Sequence, residues 1–568
     1  MSRRMLVKRV RGLALVAMVV ASVVALSACV TIPTGGGVIT GREISEQDIE
    51  RGSEVIPEGP VAGADQQAIL TGFIAAHSGS RSYDVARQFL SRDFADDWDP
   101  GASVLIRTGN SNMESVGENT MAFNIVVAAT VDRDGMYNEY PVAPQTLAYK
   151  FVQEGGEWRI DAAPDGVVLS SGTFPKLFTD HTLYFLDPNR QALVPDVRWF
   201  PNGSAAVRVV SALLNGPPAW LQGAVGTAFP EGTQLSSPRR VPIEEDVVAV
   251  VDLTEEALSA NETQRQLMRL QLEASLGAVP SVSSTELTVG GTPLVIAPLG
   301  PTAPQLRPQV DSRMLVLKED EFGYLANGRV TVIDGLSQKV LATNPTEVTL
   351  ASTGTVAATL GENGVSVVRA GVDNPLLVDN RPGLIAPTMD SYGYVWTVQR
   401  SDPGSIRVSD LEGNQSAVPT TLPRDGEIVS LEISRDGTRI AALLATDAGT
   451  RLVVGAIIRD QNQAFLPVSW GSEPRIDRIV DSGTALDATW VDELSVATLS
   501  RVDGSTEVIS HQVGGRQSDL GSPGPSVSIV GGNTEAGLRV ISENGVISTR
   551  RGSGWQSSGE ATLIATQR

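Results

Sequence analysis

Cysteine is nearly absent from this chain: Cys29 is the only one in 568 residues. One thiol excludes an internal disulfide framework and any thiolate-rich metal site. Histidine is almost as scarce, with His77, His181 and His511 spread over three separate regions. Triad chemistry and metal ligation bring histidine together with a nucleophile or further ligands, so these three read as packing or surface residues. Aromatic residues make up only 5%, which leaves few rings for stacking sugars. Basic residues are outnumbered 44 to 65, for a net charge of −21, so the chain should bind no nucleic acid and be repelled by an anionic bilayer surface. No apolar run beyond the first 28 residues is long enough to cross a bilayer as a helix. The sequence also lacks a Gly-x-Ser-x-Gly elbow, a phosphate loop and a His-Glu-x-x-His pair. No catalytic residue, cofactor site or metal site is expected.

What is present begins at the amino end. Arg3, Arg4, Lys8, Arg9 and Arg11 precede an apolar stretch from Leu13 to Leu26, then the small residues Ser27 and Ala28. That is the three-part layout of a secretory signal peptide. Leu26-Ser27-Ala28-Cys29 resembles a bacterial lipobox, which implies cleavage before Cys29 and lipidation of its thiol. Residues 1–28 are read as signal peptide, and 29–62 as lipid anchor and acidic, Pro-containing linker. Losing a segment with five basic and no acidic residues takes the mature charge to about −26.

The remainder reads as multidomain α+β and all-β. In residues 63–172, "GADQQAILTGFIAAHS" puts Ile69, Leu70, Phe73 and Ile74 on one helical face behind an Asp65 cap. A short second helix follows, then strand patterns with a hairpin turn at Gly155-Gly156. Helices before a curled antiparallel sheet are similar to an NTF2-like α+β domain. Asp132, Asp134 and Gly135 form a fragment of a calcium-loop pattern, but between two strands they read as a hairpin turn.

Residues 173–300 mix both periods. Two strand patterns flank Pro188-Asn189, and "SAAVRVVSALLNGPP" reads as a helix capped by Ser204, with Val207, Val210, Leu213 and Leu214 on one face. "VVDLTEEALS" reads as a strand entering a capped helix through Asp252 and Thr254. A longer helix starts at Asn261 and stops at Gly277. The "LYFLDPN", "LLNGPP" and "VVDLTEEAL" segments, in this order, resemble the α/β GerMN domain. Trp199 and Trp220 flank the first helix and are the tryptophans expected to show a face to solvent, whereas Trp158, Trp396 and Trp490 fall in strand patterns and read as core.

A Pro- and Gly-rich joint between Pro298 and Gln309 leads into residues 301–568, where the helical period disappears. "VTLASTGTVAATLG", "APTMDSYGYVWTVQ", "LEISRDGTRIAALL" and "LDATWVDELSVATLS" share one plan of strand, polar turn and strand. A repeat near 40 residues is the signature of a β-propeller, here with five or six blades; two β-sandwiches are the alternative.

A lipobox, acidic linker, NTF2-like unit, GerMN unit and C-terminal propeller, in that order, resemble the actinobacterial LpqB lipoprotein family. The resemblance implies an extracytoplasmic, lipid-anchored membrane protein. It also implies a non-enzymatic partner of the extracytoplasmic domain of a sensor histidine kinase, in an MtrAB-type two-component system linked to cell-wall homeostasis and division. A cell-wall glycan-binding protein is the runner-up, and a glycan hydrolase comes third because carboxylates are plentiful.

Overall fold

The computed structural model describes residues 57–79, 83–238, 240–243, 247–280, 282–301 and 303–568, leaving aside the side chains of residues 140 and 141. The expected lipidation site Cys29 and its signal peptide lie outside the described residues. The described residues form one compact unit.

The first module packs one helix against a curled sheet. Helix α1 (Gln66–Ala76) starts where the Asp65 carboxylate accepts from the Ala68 amide, and it buries Ile69, Leu70, Phe73 and Ala76. The sheet contains β1 (Ser103–Gly117), β2 (Thr120–Asp132), β3 (Tyr137–Glu154), β4 (Glu157–Ala162) and β5 (Val167–Ser170), in the order β4-β3-β2-β1-β5. The hairpin at Gly155-Gly156 is present, with both glycines at positive φ. Asp132 sits in the β2–β3 turn, where its carboxylate accepts the amides of Asp134 and Met136. That hydrogen bonding makes "DRDG" a hairpin turn.

The second module opens with the hairpin β6 (Phe178–Leu186) and β7 (Leu193–Pro201), turning at Pro188-Asn189. Helix α2 (Ala205–Leu214) follows. Its buried face is Ala205, Val209, Val210 and Leu213, rotated from the expected one. Ser204 precedes it but makes no side-chain cap, because its hydroxyl donates instead to the Pro201 carbonyl. Strand β8 (Val248–Leu253) pairs in parallel with β9 (Ser284–Val289), and β10 (Thr292–Pro293) adds an edge. Between them helix α3 (Glu262–Leu276) begins with a reciprocal capping box between Asn261 and Gln264. After β8 the chain makes only a short 3-10 turn, Glu255–Ser259. Asp252 caps nothing there; it accepts from the Thr288 hydroxyl and the Gly291 amide across the sheet.

Six sheets follow in chain order. Blade 1 is built from Met314–Lys318, Glu321–Ala326 and Arg329–Val332. Blade 2 runs from Glu347–Leu350 to Leu376–Asp379, and blade 3 from Thr388–Met389 to Gln415–Ala417. Blade 4 runs from Glu427–Ile433 to Ile476–Asp481, blade 5 from Thr484–Trp490 to Gln517–Asp519, and blade 6 from Ser528–Val530 to Gly554–Glu560. Every seam is apolar. Leu315 and Val348 share the cluster between blades 1 and 2, Val367 and Met389 that between 2 and 3, and Trp396 and Leu431 that between 3 and 4. Leu443 and Trp490 meet between blades 4 and 5, Leu499 and Val540 between 5 and 6, and Val530 and Val316 between 6 and 1. This explains continuous apolar strands such as "RIAALL": both faces of a blade are covered by its neighbours. The ring is fastened by the last strands. Leu563–Ile564 pairs antiparallel with blade 1, and Thr566–Gln567 pairs parallel with Thr349 and Leu350 of blade 2.

Candidate functional site: the junction of the three modules

The two tryptophans expected to face solvent are both covered, Trp199 at 7% exposure and Trp220 at 4%. What covers them is the rest of the molecule. Trp199, on β7, packs at a tilt against Tyr137 and Phe174 at ring-centroid distances of 5.4 and 5.1 Å. Its indole N–H reaches into the propeller and donates to the Gly514 carbonyl at 3.2 Å. Its backbone amide donates to Gly135 at 2.8 Å, in the first module's β2–β3 turn. Gly135 has φ +81°, and a Cβ there would lie 2.7 Å from the Phe200 ring, so only glycine lets this turn lie against β7.

Trp220 lies in the 3-10 turn Ala219–Leu221 and donates from its indole N–H to Asp196 Oδ1 at 3.0 Å. The other oxygen of Asp196 pairs with the Arg198 guanidinium, which in turn donates to the Asp134 carbonyl at 2.6 Å. Asp196 and Arg198 are buried, so this carboxylate is held by a cation and an indole N–H in place of water. The chain around Trp220 packs on blade 4, next to Ile458 and Gly471. One apolar cluster joins Leu183, Val210, Trp220 and Leu272 of the second module to Leu452, Val454 and Trp490 of the propeller. The Pro298–Gln309 joint is therefore no free hinge. Gln305 exchanges backbone hydrogen bonds with Gln191 and Leu193, and Arg307 pairs with Glu493 of blade 5 at 2.7 Å.

A polar lock completes the same seam. Asp187, in the β6–β7 turn, accepts from the Tyr392 hydroxyl of blade 3 at 2.8 Å. The Tyr392 ring lies 4.1 Å beneath the Arg459 guanidinium, whose Asp390 partner at 2.7 Å also accepts from Trp396. Both charged side chains of the Arg459–Asp390 pair are wholly buried. The first module meets the propeller through polar groups. Arg475 donates to the Tyr137 carbonyl at 2.9 Å and to Asn138 at 2.8 Å, and Arg478 pairs with Glu139 at 2.6 Å. Beside these contacts lies a cleft of about 200 Å³.

The three histidines stay apart, each buried in its own module. His77 Nδ1 accepts from the Val168 amide at 3.0 Å, and burial lowers its pKa to about 3. Burial also lowers His181, and brings His511, beside Thr498, down to about 3. Among the described residues no three His, Cys, Asp or Glu side chains are grouped to hold a metal. In the propeller, Glu347 of blade 2 feels the charge of Asp487 of blade 5. Burial, then the Asp487 charge, pushes Glu347 up to about 7. Burial also raises Asp487, against hydrogen bonds from the Ile529 amide and the Ser528 hydroxyl. Glu432 of blade 4 pairs with Arg568 at the carboxyl end.

The geometry defines a mostly-sheet, three-module scaffold in which a helix-on-sheet domain and an α/β domain are fused to a six-bladed propeller. Residues 59–175 match the family described as the N-terminal domain of lipoprotein LpqB. Residues 182–295 match the sporulation and spore germination family, and 320–565 the LpqB β-propeller domain. The chain belongs to the LpqB lipoprotein family. It is 32% identical over 284 residues to the Cutibacterium acnes lipoprotein LpqB, covering 48% of this chain and 46% of that protein. That match spans about half of the relative's length. The Streptomyces coelicolor lipoprotein LpqB is 24% identical over 620 residues, with 98% of each chain covered. Among solved structures, the first GerMN domain of the Bacillus subtilis sporulation protein GerM aligns at 19% identity and a TM-score of 0.18, covering 22% of this chain and 97% of that one.

Proposed function

We propose that the protein is a membrane-tethered extracytoplasmic adaptor. It is held by lipid on Cys29, binds the extracytoplasmic domain of a sensor histidine kinase of the MtrAB type, and turns over no substrate. The observation that carries this reading is the three-way junction at Trp199 and Trp220, which makes one body of three modules and spends the conspicuous tryptophans and histidines on packing. A rigid body of this kind acts on a partner by presenting fixed surfaces. It biases a kinase only through unequal affinities for the kinase's on and off states. The lipoprotein name carried by the relatives supports the anchor, and no helix among the described residues is long and apolar enough to cross a membrane. Tethering confines adaptor and sensor to one membrane face, so modest affinity suffices.

The test is a binding titration between the full-length lipoprotein in detergent and the purified sensor domain of a kinase from the same organism, with wall glycan in parallel. Saturable binding to the sensor domain at about 1–100 μM supports the adaptor, since tethering raises local concentration into that range. Binding to glycan alone, or turnover of any glycan, overturns it.

A further inference from the structure

The cleft between the first module and the propeller has no part in the adaptor reading, yet its lining is chemically specific. It lies between β3 and the segment entering the last strand of blade 4, and Gly514 and Gly515 of blade 5 also line it. Neither glycine can carry a side chain without loss. A Cβ at Gly514 would lie 2.9 Å from the Arg475 guanidinium, and one at Gly515 would run into Gln512. The walls offer two guanidiniums, Arg475 and Arg478, two carboxylates, Glu139 and Asp477, and the amides of Asn138 and Gln512.

These groups are held in place. Arg475 is fixed by its two bonds to the first module, and Glu139 by Arg478 and the Tyr137 hydroxyl. Asp477 is held by Arg451 at 2.7 Å, and Gln512 by Asp180 at 3.1 Å. A free anion would meet Glu139 and Asp477, and a free cation would meet Arg475 and Arg478. Pro474, Ile476 and the Tyr137 ring are the apolar surfaces in this lining, too few for a greasy ligand. The ligand that suits alternating fixed donors and acceptors is one whose own groups both donate and accept, which is the property of a hydroxyl. We propose that this cleft binds a neutral saccharide, one ring at a time. Its volume of about 200 Å³ falls below the roughly 300–1,000 Å³ of drug-sized pockets, which limits the occupant to a single ring. A sugar seated there touches β3 and blade 5 together, so binding would tighten the polar seam. Trp199, bonded to Gly514, would report it.

The experiment titrates the full-length lipoprotein, in a detergent without a sugar headgroup, with N-acetylglucosamine and with glucose. Sodium phosphate and ethanolamine serve as charged controls. Binding is read by saturation-transfer NMR and by tryptophan fluorescence. The expected result is saturable binding of at least one sugar with Kd of about 1 mM, ordinary for a small weakly held ligand, and none of either control. Gln512→Leu and Asn138→Ala should each weaken binding roughly tenfold, the usual consequence of losing one hydrogen-bonding partner. Both variants are first checked for wild-type melting, and if one fails to fold the other gives the answer. No sugar binding up to ~50 mM, where even very weak sites fill, overturns the proposal. So does unchanged affinity in a folded variant, or binding of phosphate or ethanolamine instead. None of these results bears on the kinase titration, so the adaptor reading stands or falls separately.

Discussion

Trp220→Ala tests the shared core most directly. The indole is 4% exposed, at the seam of the second module and blade 4. Removing a buried Trp side chain costs about 3–5 kcal/mol when the surroundings do not collapse. The indole N–H also holds Asp196, and losing that bond at a buried carboxylate adds about 1–2 kcal/mol. Trp220→Phe keeps most of the bulk and isolates the second contribution. Helical circular dichroism reports on the first two modules, because the longest helix in the propeller is the five-residue Ser337–Leu341. Sheet signal and near-ultraviolet bands report on the blades. The wild type is expected to unfold in urea with coincident transitions by both probes, the mark of one cooperative unit. In Trp220→Ala the helical transition should come first, separated from that of the propeller, with Trp220→Phe in between. Coincident transitions in the alanine variant, with less than about 1 kcal/mol lost, would refute the idea that this seam is a core.

Other outcomes follow from the same structure. His77 and His511 have folded pKa values near 3 against 6.5 for free histidine, so the unfolded chain binds more protons between pH 6.5 and 3 and stability falls as pH drops through that window. Each should cost about 2–3 kcal/mol by pH 4.5, and His511→Gln should flatten the stability profile measured by denaturant melts. Glu347 has the opposite sign. Its folded value near 7 lies above the usual 4.5, so its penalty appears as pH rises through 4.5 to 7; Glu347→Gln should stabilise by roughly 3 kcal/mol at pH 8 and by little at pH 4. A protease nick introduced between Pro298 and Gln309 should leave the two fragments together on gel filtration, because the seam survives the cut; clean separation would contradict it. Cys29→Ser should abolish lipidation, which mass spectrometry of the membrane fraction would detect.

Local signals in the sequence were accurate where the chain answers to its own neighbours. Asp65 and Asn261 cap their helices, and paired glycines turn the hairpin at Gly155-Gly156. The blade repeat survives too. The step from "LEISRDGTRIAALL" at 431 to "LDATWVDELSVATLS" at 486 exceeds 40 residues because the chain after the third strand of blade 4 adds both Leu466–Trp470 and Ile476–Asp481, each pairing with Gly449–Asp460. Strand β1 was not legible, because its second half is exposed and rich in Ser, Asn and Gly, with no alternation to read. The junction was not legible for a different reason. A tryptophan covered by another module and one left in water have the same local sequence, and only residues such as Gly514 and Ile458, hundreds of positions away, decide between them.

The fastening of the ring has a consequence for how the protein comes to exist. Ile564 completes a sheet begun by Val316, a loop of roughly 250 residues, and closing a loop that long costs about 5 kcal/mol of chain entropy before any contact repays it. A polypeptide made from its amino end delivers residues 563–567 after all six blades have emerged. Until then Val316 and Val530, which meet in the closed ring, remain uncovered on its two open ends. Blade closure is therefore the slow, late step of folding. A chain cut before Ala561 should bind hydrophobic dye and aggregate, although every blade is still encoded. Biogenesis thus has its hazard in the time between synthesis of the last blade and fastening, when a chaperone would find its substrate.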